Sequence, residues 1–207
     1  MKNYIFDEKI RLEEDFFYGY SPRCESFTKF DLGKNYVVNR INKNVDAGFD
    51  YVSISLRQKV SAPISIETQC EFDNFGAPLI VIAEDVLEKN EKIFYGKYVE
   101  IVAYEEGINV WYIEPDNVNI ANVKLLGQKK FLINENERFC LSVIVANDEI
   151  IAKIGSNEII VSYKFPKEFF VGITACEGVN KFYNFKVEEV NNDWFKRLFF
   201  KYVCWYL

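Results

Sequence analysis

The sequence predicts an all-β protein, an antiparallel two-sheet sandwich that ends in a short aromatic tail. Short apolar runs follow one another with little more than turns between them, above all from residue 138 to residue 190. Residues 64–73 alternate strictly between apolar and polar side chains, which is typical of a strand with one face in the core and one in water. No helical pattern of useful length separates these runs, so a two-layer sandwich is favoured.

The predicted strands divide the chain into short segments. Residues 79–83 are predicted to be a more buried strand, and residues 85–92 a charged connection. From residue 138 onward the sequence predicts a β-meander, with tight turns at 147–148 and 156–157. The other predicted strands are 3–6, 36–40, 51–58, the hairpin 98–105 with 109–114, and then 138–145, 149–154, 158–165, 169–176 and 181–190, and residues 16–20 are an apolar run before a break.

The last sixteen residues differ from the rest of the chain. One sandwich domain is expected over residues 1–191, because sandwiches of this size commonly do not divide. In residues 192–207 aromatic and aliphatic side chains recur at helical spacing, with basic residues on the other side. This tail is predicted to dock on the domain or on a second copy, as a homodimer. The alternative is a membrane-interface anchor, which basic residues beside Trp and Phe suit.

Composition excludes several classes of function. The net charge is −6 with a pI near 5.0, and the basic residues are dispersed, so no nucleic-acid partner is expected. The chain contains no histidine, which removes Ser-His and Cys-His nucleophile pairs and the commonest zinc ligand. No stretch is long and apolar enough for a transmembrane segment.

The cysteines and the N-terminal residues predict a cytoplasmic location. No C-x-x-C spacing is present, so free thiols in a reducing compartment are expected. The N-terminal residues turn acidic within eight positions and lack the apolar core of a signal peptide. The five cysteines are Cys24, Cys70, Cys140, Cys176 and Cys204.

Two segments near the end of the predicted domain resemble a known superfamily. Residues 169–175, Phe-Phe-Val-Gly-Ile-Thr-Ala, and residues 181–187, Lys-Phe-Tyr-Asn-Phe-Lys-Val, resemble the last two strands of the concanavalin A-like lectin/glucanase superfamily, which includes laminin-G-like domains. The hairpin strands of residues 139–161 are similar too, and the resemblance covers about residues 50–190. It implies a jelly roll of two curved sheets whose concave face or rim loops bind glycans. An oligosaccharide is therefore the expected partner, and no cofactor is expected.

Enzymatic activity stays open at this stage. Members that resemble family 16 glucanases carry E-x-D-x-x-E on one strand, and this chain has Glu71-Phe72-Asp73-Asn74-Phe75-Gly76, with Gly76 at the second Glu. A retaining glycosidase needs two carboxyls about 5 Å apart. The alternative to a lectin-like protein is a glycoside hydrolase with Glu71 and Glu100 as its carboxylate pair. A structural or assembly module, suggested by the tail, is the third hypothesis.

Four residues of the predicted 98–114 hairpin are candidate ligand contacts. Glu100 and Tyr104 share one strand face, and Asn109 and Trp111 lie on the return strand. Aromatic rings stack on the C–H surfaces of pyranoses, and nearby acids and amides orient the hydroxyls. Both aromatic residues are also compatible with an ordinary core or a cross-strand pair.

Further candidates lie on a rim loop and on the alternating strand. Glu177 and Asn180 precede the last predicted strand, where Gly178 predicts a turn. A polar row on the alternating strand belongs either to a solvated outer face or to a concave binding face. We predict no metal site, since Asp116, Asn117 and Asn119 lack a partnering acidic cluster. The polar row consists of Glu67, Gln69, Glu71 and Asp73.

Overall fold

In the part of the chain that the structure describes, two sheets of nine strands each pack face to face, which confirms the predicted all-β sandwich. The computed structural model describes residues 1–20, 29–39, 51–115, 120–146 and 148–190. The elements are β1 (Lys2–Ile5), α1 (Leu12–Asp15), β2 (Phe16–Tyr20), β3 (Asp31–Leu32), β4 (Val37–Val38), β5 (Val52–Leu56), β6 (Ile64–Asp73), β7 (Ala77–Ala83), β8 (Val86–Lys89), β9 (Lys92–Tyr95), β10 (Tyr98–Tyr104), β11 (Gly107–Pro115), β12 (Ile120–Lys130), β13 (Phe139–Val145), β14 (Glu149–Ile154), β15 (Asn157–Ser162), β16 (Phe170–Cys176), β17 (Val179–Phe182) and β18 (Asn184–Glu189).

The first sheet, sheet A, is organised around the long strand β6. Its strand order is β15-β14-β13-β6-β17-β4-β3. The strand β18 also pairs with β6, along the half that β17 leaves free, and β1 pairs with β18. All of these pairings are antiparallel.

The second sheet, sheet B, has the order β12-β11-β10-β7-β16-β5-β2-β9-β8. Its pairings are antiparallel except that β2 and β9 run parallel. The central strand β7 is buried along its whole length. Because side chains alternate along a strand, one set of its apolar residues faces sheet A and the other faces outward. The protein therefore has a second apolar layer on the outer face of sheet B.

The two layers differ in membership. Ile80 and Ile82 of β7 belong to the main core between the sheets, together with Ile66 and Phe72 of β6. Leu79 and Val81 of β7 belong to the outer layer, which is rich in tyrosine and phenylalanine. Sequences buried on both faces read as continuous apolar runs, and this explains why residues 79–83 show no alternation.

The predicted meander is correct in part. Strands β13, β14 and β15 do form consecutive hairpins at the edge of sheet A. The next strand, β16, instead crosses to sheet B and lies between β7 and β5, before β17 and β18 return to β6. The prediction failed here because chain adjacency favours hairpins, whereas the crossing depends on long-range apolar contacts.

Two local predictions are wrong. Residues 85–92 are not a simple connection, because β8 and β9 form a hairpin there. The turn between β14 and β15 is formed by Gly155 and Ser156, one position earlier than predicted, since Ile154 pairs with Asn157. Gly155 has a φ of 58°, a conformation that glycine adopts at no steric cost. Residues 192–207, Asn147, Cys24 and Cys204 lie outside the described residues.

We predict that Gly172→Ala destabilises the sandwich much more than Gly155→Ala. A methyl group at Gly172 would overlap the main-chain carbonyl oxygen of Ile54 on the adjacent strand, and backbone cannot move aside as a side chain can. We expect a loss of at least about 3 kcal/mol of unfolding free energy. At Gly155 no heavy atom lies within 4 Å, so only the left-handed backbone opposes alanine, at about 1–2 kcal/mol. Urea unfolding measures both; equal losses would contradict the close approach of β16 and β5.

Candidate functional site

The outer face of sheet B gathers four of the predicted ligand contacts. Glu100 on β10 lies directly opposite Trp111 on β11, and Val102 lies opposite Asn109. Tyr104 is two residues beyond Val102 and shares its face, because side chains alternate along a strand. The structure thus brings Glu100, Tyr104, Asn109 and Trp111 together. Whether they bind a ligand stays a prediction.

Half of this face is covered by Tyr95, the last residue of β9. Its ring packs over Gly19 of β2, where any larger side chain would overlap it. The phenol oxygen is 2.8 Å from the hydroxyl of Ser53 and 2.7 Å from that of Ser55. Ser53 lies a further 2.7 Å from the hydroxyl of Thr174. All of these side chains are buried. We call this region, over β16, β5 and β2, the closed half of the face.

Aromatic packing completes the closed half. The rings of Tyr95 and Tyr98 are 5.5 Å apart, and those of Phe17 and Phe170 are 5.4 Å apart, edge to face. At the base of the β8–β9 hairpin the main-chain N–H of Gly96 donates to the carbonyl of Asp85 at 3.0 Å. These contacts hold Tyr95 on the sheet, and Phe170 stays partly exposed at the margin of the closed half.

Glu100 lies buried between the two halves of the face. It is 1% exposed and accepts a hydrogen bond of 2.9 Å from the Tyr51 hydroxyl. A buried carboxylate needs such partners because its desolvation is costly. The expectation that Glu100 contacts a ligand does not agree with this burial. Its place in the structure is beneath the face, where it binds Tyr51.

The part of the face over β10, β11 and β12 is open, and we call it the open half. Tyr104, Asn109 and Trp111 are all partly exposed there. The Gln128 amide on β12 donates a hydrogen bond of 2.8 Å to the Tyr104 hydroxyl. Leu125, which pairs with Trp111, is 41% exposed. The open half therefore presents aromatic, apolar and amide groups side by side.

One polar atom of the open half has no partner. The side-chain oxygen of Asn109 is buried and accepts no hydrogen bond. Buried polar atoms are nearly always hydrogen-bonded, and an unmade bond is costly. The side-chain oxygen of Asn180 is buried and unpartnered in the same way, so an unmade hydrogen bond of this kind does not by itself mark a ligand site. The open half points to binding through its partly exposed aromatic, apolar and amide groups.

Glu71 lies on the outer face of sheet A, far from the open half. It accepts hydrogen bonds from Lys181 at 2.5 Å and from the Tyr183 hydroxyl at 2.6 Å. The guanidinium of Arg138 stacks on the Tyr183 ring at 3.4 Å. Burial pushes the pKa of Glu71 upward, but the hydrogen bonds from Lys181 and Tyr183 outweigh it, so the pKa falls below its ordinary value.

The polar row that contains Glu71 follows the same outer face. Ile66 and Phe72 of β6 point into the main core, so Gln69, Glu71 and Asp73 point away from it. The polar row therefore lies on the outward face of sheet A, one of the two placements that the sequence allows. Glu71 of this row forms a cross-strand ion pair with Lys181 of β17.

The proposed carboxylate pair is not formed. Glu71 points outward from sheet A and Glu100 outward from sheet B, with the whole core between the two sheets. Packed sheets lie about 10 Å apart, and both side chains point away from that gap, so the carboxyls lie well beyond the 5 Å of a retaining pair. Glu71 and Glu100 therefore cannot act together on one glycosidic bond in this structure.

The two rim residues have different surroundings. Glu177 is exposed in the turn between β16 and β17, with a φ of 57° followed by 46° at Gly178. Asn180 is fully buried, and its amide donates to the carbonyls of Cys176 at 3.2 Å and Glu177 at 2.7 Å. Its main-chain N–H donates to the Asn39 side chain at 2.7 Å. Asn180 therefore holds the turn, and the prediction that it contacts a ligand disagrees with its burial.

Within the described ranges no three Cys, Asp or Glu side chains come together as metal ligands. No helix within those ranges has the length and apolarity to cross a bilayer. Asp116, Asn117 and Asn119 lie outside the described residues.

Sequence reasoning missed three residues that shape this face: Tyr51, Tyr95 and Gln128. Tyr51 and Tyr95 carry no local signal, because their hydrogen-bond partners are 49, 42 and 40 positions away. Gln128 lies in a segment whose apolar pattern is interrupted by Asn and Gly, so the sequence does not indicate which face its side chain takes.

Comparison with known proteins identifies the fold. No protein-family model and no curated protein sequence matches this chain. A legume lectin-like domain from Entamoeba histolytica superposes with a TM-score of 0.58 at 16% identity, over 90% of this chain and 97% of that one. An inactivated mutant of β-agarase B in complex with agaro-octaose gives 0.62 at 8% identity, over 86% of each chain. The carbohydrate-binding module CBM66 from Bacillus subtilis gives 0.54 at 11% identity, over 79% and 100%.

These similarities confirm the resemblance stated from residues 169–187. The chain has the jelly-roll fold of the concanavalin A-like lectin/glucanase superfamily. At such low identities the likeness concerns the fold alone, and function must be argued from the chain's own residues.

We predict that Glu71→Gln makes the stability of the protein less dependent on acid pH. The folded-state pKa of Glu71 is lowered, so its contribution to stability is present above about 4.5, its ordinary value, and is lost as the pH falls through the folded pKa. The variant should be less stable at pH 7 and should lose less stability between pH 5 and pH 2. Thermal melts across this range measure the effect. The exposed Glu88→Gln serves as control, and an identical acid slope in wild type and Glu71→Gln would contradict the prediction.

Proposed function

We propose that this protein binds carbohydrate through the open half of the outer face of sheet B. The observation that carries the proposal is that the partly exposed side chains of Tyr104, Asn109 and Trp111 share one face with the exposed Gln128 amide. A sugar offers the two complementary features at once, hydroxyls for the amide and phenol groups and C–H surfaces for the rings.

The polar groups of the site suit a polyhydroxylated ligand. The Tyr104 hydroxyl accepts a hydrogen bond from Gln128, so its own proton remains available for donation to a ligand oxygen. Ligand sites generally combine apolar surface with a few polar groups that fix orientation. Leu125 supplies further exposed apolar surface beside Trp111. The set can thus hold one pyranose ring and orient its hydroxyls.

The end of the sandwich where a turn joins β10 to β11, which we call the rim, has a charge that favours a neutral ligand. Acidic residues outnumber basic residues among its exposed side chains. Like charges would oppose a sulfated or uronic-acid glycan there. Carboxylates also accept hydrogen bonds from neutral hydroxyls. The exposed acids are Asp73, Glu105, Glu106, Glu135, Glu137 and Glu177, and the exposed bases are Lys129, Lys130 and Arg138.

The structural comparisons lend support of a general kind. The proteins described above are a lectin-like domain, a carbohydrate-binding module and an agarase crystallised with its oligosaccharide. They demonstrate that this fold accommodates glycan binding, while their particular ligands are their own. A binding role is favoured over hydrolysis because Glu71 and Glu100 lie on opposite outer faces. A cytoplasmic location and dimerisation through residues 192–207 stay predictions.

The proposal is tested by thermal-shift and calorimetric titration against neutral hexaoses: cello-, laminari-, malto-, xylo- and mannohexaose. At least one should raise the melting temperature of the wild type, and its chemically sulfated derivative should bind more weakly. Asn109→Ala and Trp111→Ala should each weaken binding about tenfold or more, from the loss of an amide contact or a stacking surface.

Controls separate binding from folding. Asn109→Ala removes an amide whose oxygen has no partner, so the folded protein should lose less than about 1 kcal/mol. Leu87→Ala truncates an exposed apolar side chain on β8 and should leave affinity unchanged. The proposal is wrong if no hexaose stabilises the wild type, or if both site variants bind as the wild type does.

A further inference from the structure

The turn between β6 and β7 contains an aromatic residue in an unfavourable backbone conformation. Asn74 and Phe75 have φ values of 54° and 60°, and the N–H of Gly76 donates to the carbonyl of Asp73 at 3.1 Å. Two successive positive φ angles and this hydrogen bond define a type I′ turn, whose favoured sequence is Asn-Gly. A bulky residue at the second position is strained. Among the described residues with positive φ, Phe75 is the apolar one.

Packing does not compensate for this strain. The Phe75 side chain is 70% exposed, so it contributes little to the core. The turn is fixed from the other side, since the Phe75 N–H donates to the Glu135 carboxylate at 2.8 Å. The turn thus exposes a large apolar ring to solvent although its backbone conformation is unfavourable. A residue held in such a conformation points to function.

Phe75 lies at the end of the sandwich where β10 ends, at Tyr104. Val102 of β10 pairs with Leu79 of β7 in the last pair between these two strands. Tyr104 at the end of β10 and Ala77 at the start of β7 both lie beyond this pair, at the same end of sheet B. Ala77 follows Phe75 by two residues, so Phe75 lies at that end as well.

A second exposed apolar residue lies at the same end of the sandwich. Leu132 is 79% exposed and follows the end of β12. The N–H groups of its neighbours Phe131 and Ile133 donate to the carbonyls of Glu106 and Glu105, at 3.0 and 2.9 Å. Those two acceptors form the turn directly after Tyr104. Leu132 is thus fixed against this turn, so the rim carries two exposed apolar residues, Phe75 and Leu132.

We propose that Phe75 and Leu132 contact the bound saccharide beyond Tyr104, so that the site extends from the open half over this rim. The inference rests on the proposed function and adds to it a length requirement. A short saccharide fills the Asn109–Trp111 region, and only a longer one also reaches Phe75. The ring of Phe75 then stacks on a sugar that lies outside the sheet face.

The test compares chain lengths in the variant Phe75→Gly, which restores the favoured Asn-Gly turn. The probes are the neutral hexaose with the largest thermal shift in the panel above and the triose of the same linkage. In the wild type the hexaose should bind more tightly than the triose. In Phe75→Gly the hexaose should bind about three- to tenfold more weakly while the triose is unaffected. The same substitution should raise the ligand-free melting temperature by about 2–4 °C, because the strain is removed.

Leu132→Ser should weaken hexaose binding in the same way, and Leu87→Ala should not. Unchanged hexaose affinity in Phe75→Gly, with affinity lost in Asn109→Ala, overturns the rim extension and leaves the proposed function standing. Equal loss of triose and hexaose affinity in Phe75→Gly also overturns it, because Phe75 would then act on the central region. If no hexaose binds the wild type, the proposed function and the rim extension both fall.

Discussion

The burial of β7 on both of its faces is the constraint on which the rest of this structure depends. Ile80 and Ile82 complete the core between the sheets, and Leu79 and Val81 require a second apolar layer outside sheet B. A strand with two apolar faces cannot leave one of them in water without losing roughly 25 cal/mol for each Å² exposed. The outer face of sheet B must therefore be covered over its centre, and a ligand is left with the margin of that face.

Tyr95 covers the apolar side chains of the closed half with its ring and bonds the buried hydroxyls there with its own hydroxyl. The ring covers β2 and β5, while its hydroxyl joins Ser53, Ser55 and, through Ser53, Thr174 in one chain of hydrogen bonds. Buried hydroxyls are tolerated when each has a partner. The fit depends on Gly19, whose lack of a side chain leaves room for the ring. The hydroxyl groups of this surface thus bond to one another and are not available to a sugar.

Much of this architecture could be predicted from the sequence, and the failures have physical reasons. Alternation in residues 64–73 gave the bounds of β6, and the resemblance of residues 169–187 gave the fold, because both signals are local. The crossing of β16 and the separation of Glu71 from Glu100 depend on which sheet each strand joins, and a single strand carries no information on that. The covering of the face by Tyr95 likewise depends on partners about 40 positions away.

Within one face, then, the two halves differ in how well their local interactions are satisfied. In the closed half the hydroxyls of Tyr95, Ser53, Ser55 and Thr174 are hydrogen-bonded to one another, and the rings of Tyr95, Tyr98 and Phe17 are buried. The open half keeps partly exposed aromatic side chains, and the rim beside it keeps a strained, exposed ring at Phe75. Sequences that specify a fold are locally consistent, and departures from consistency tend to gather at functional sites. The strain at Phe75 is such a departure, and burial of its ring does not compensate for it. Stability alone does not explain this residue, whereas a saccharide that stacks on its ring does.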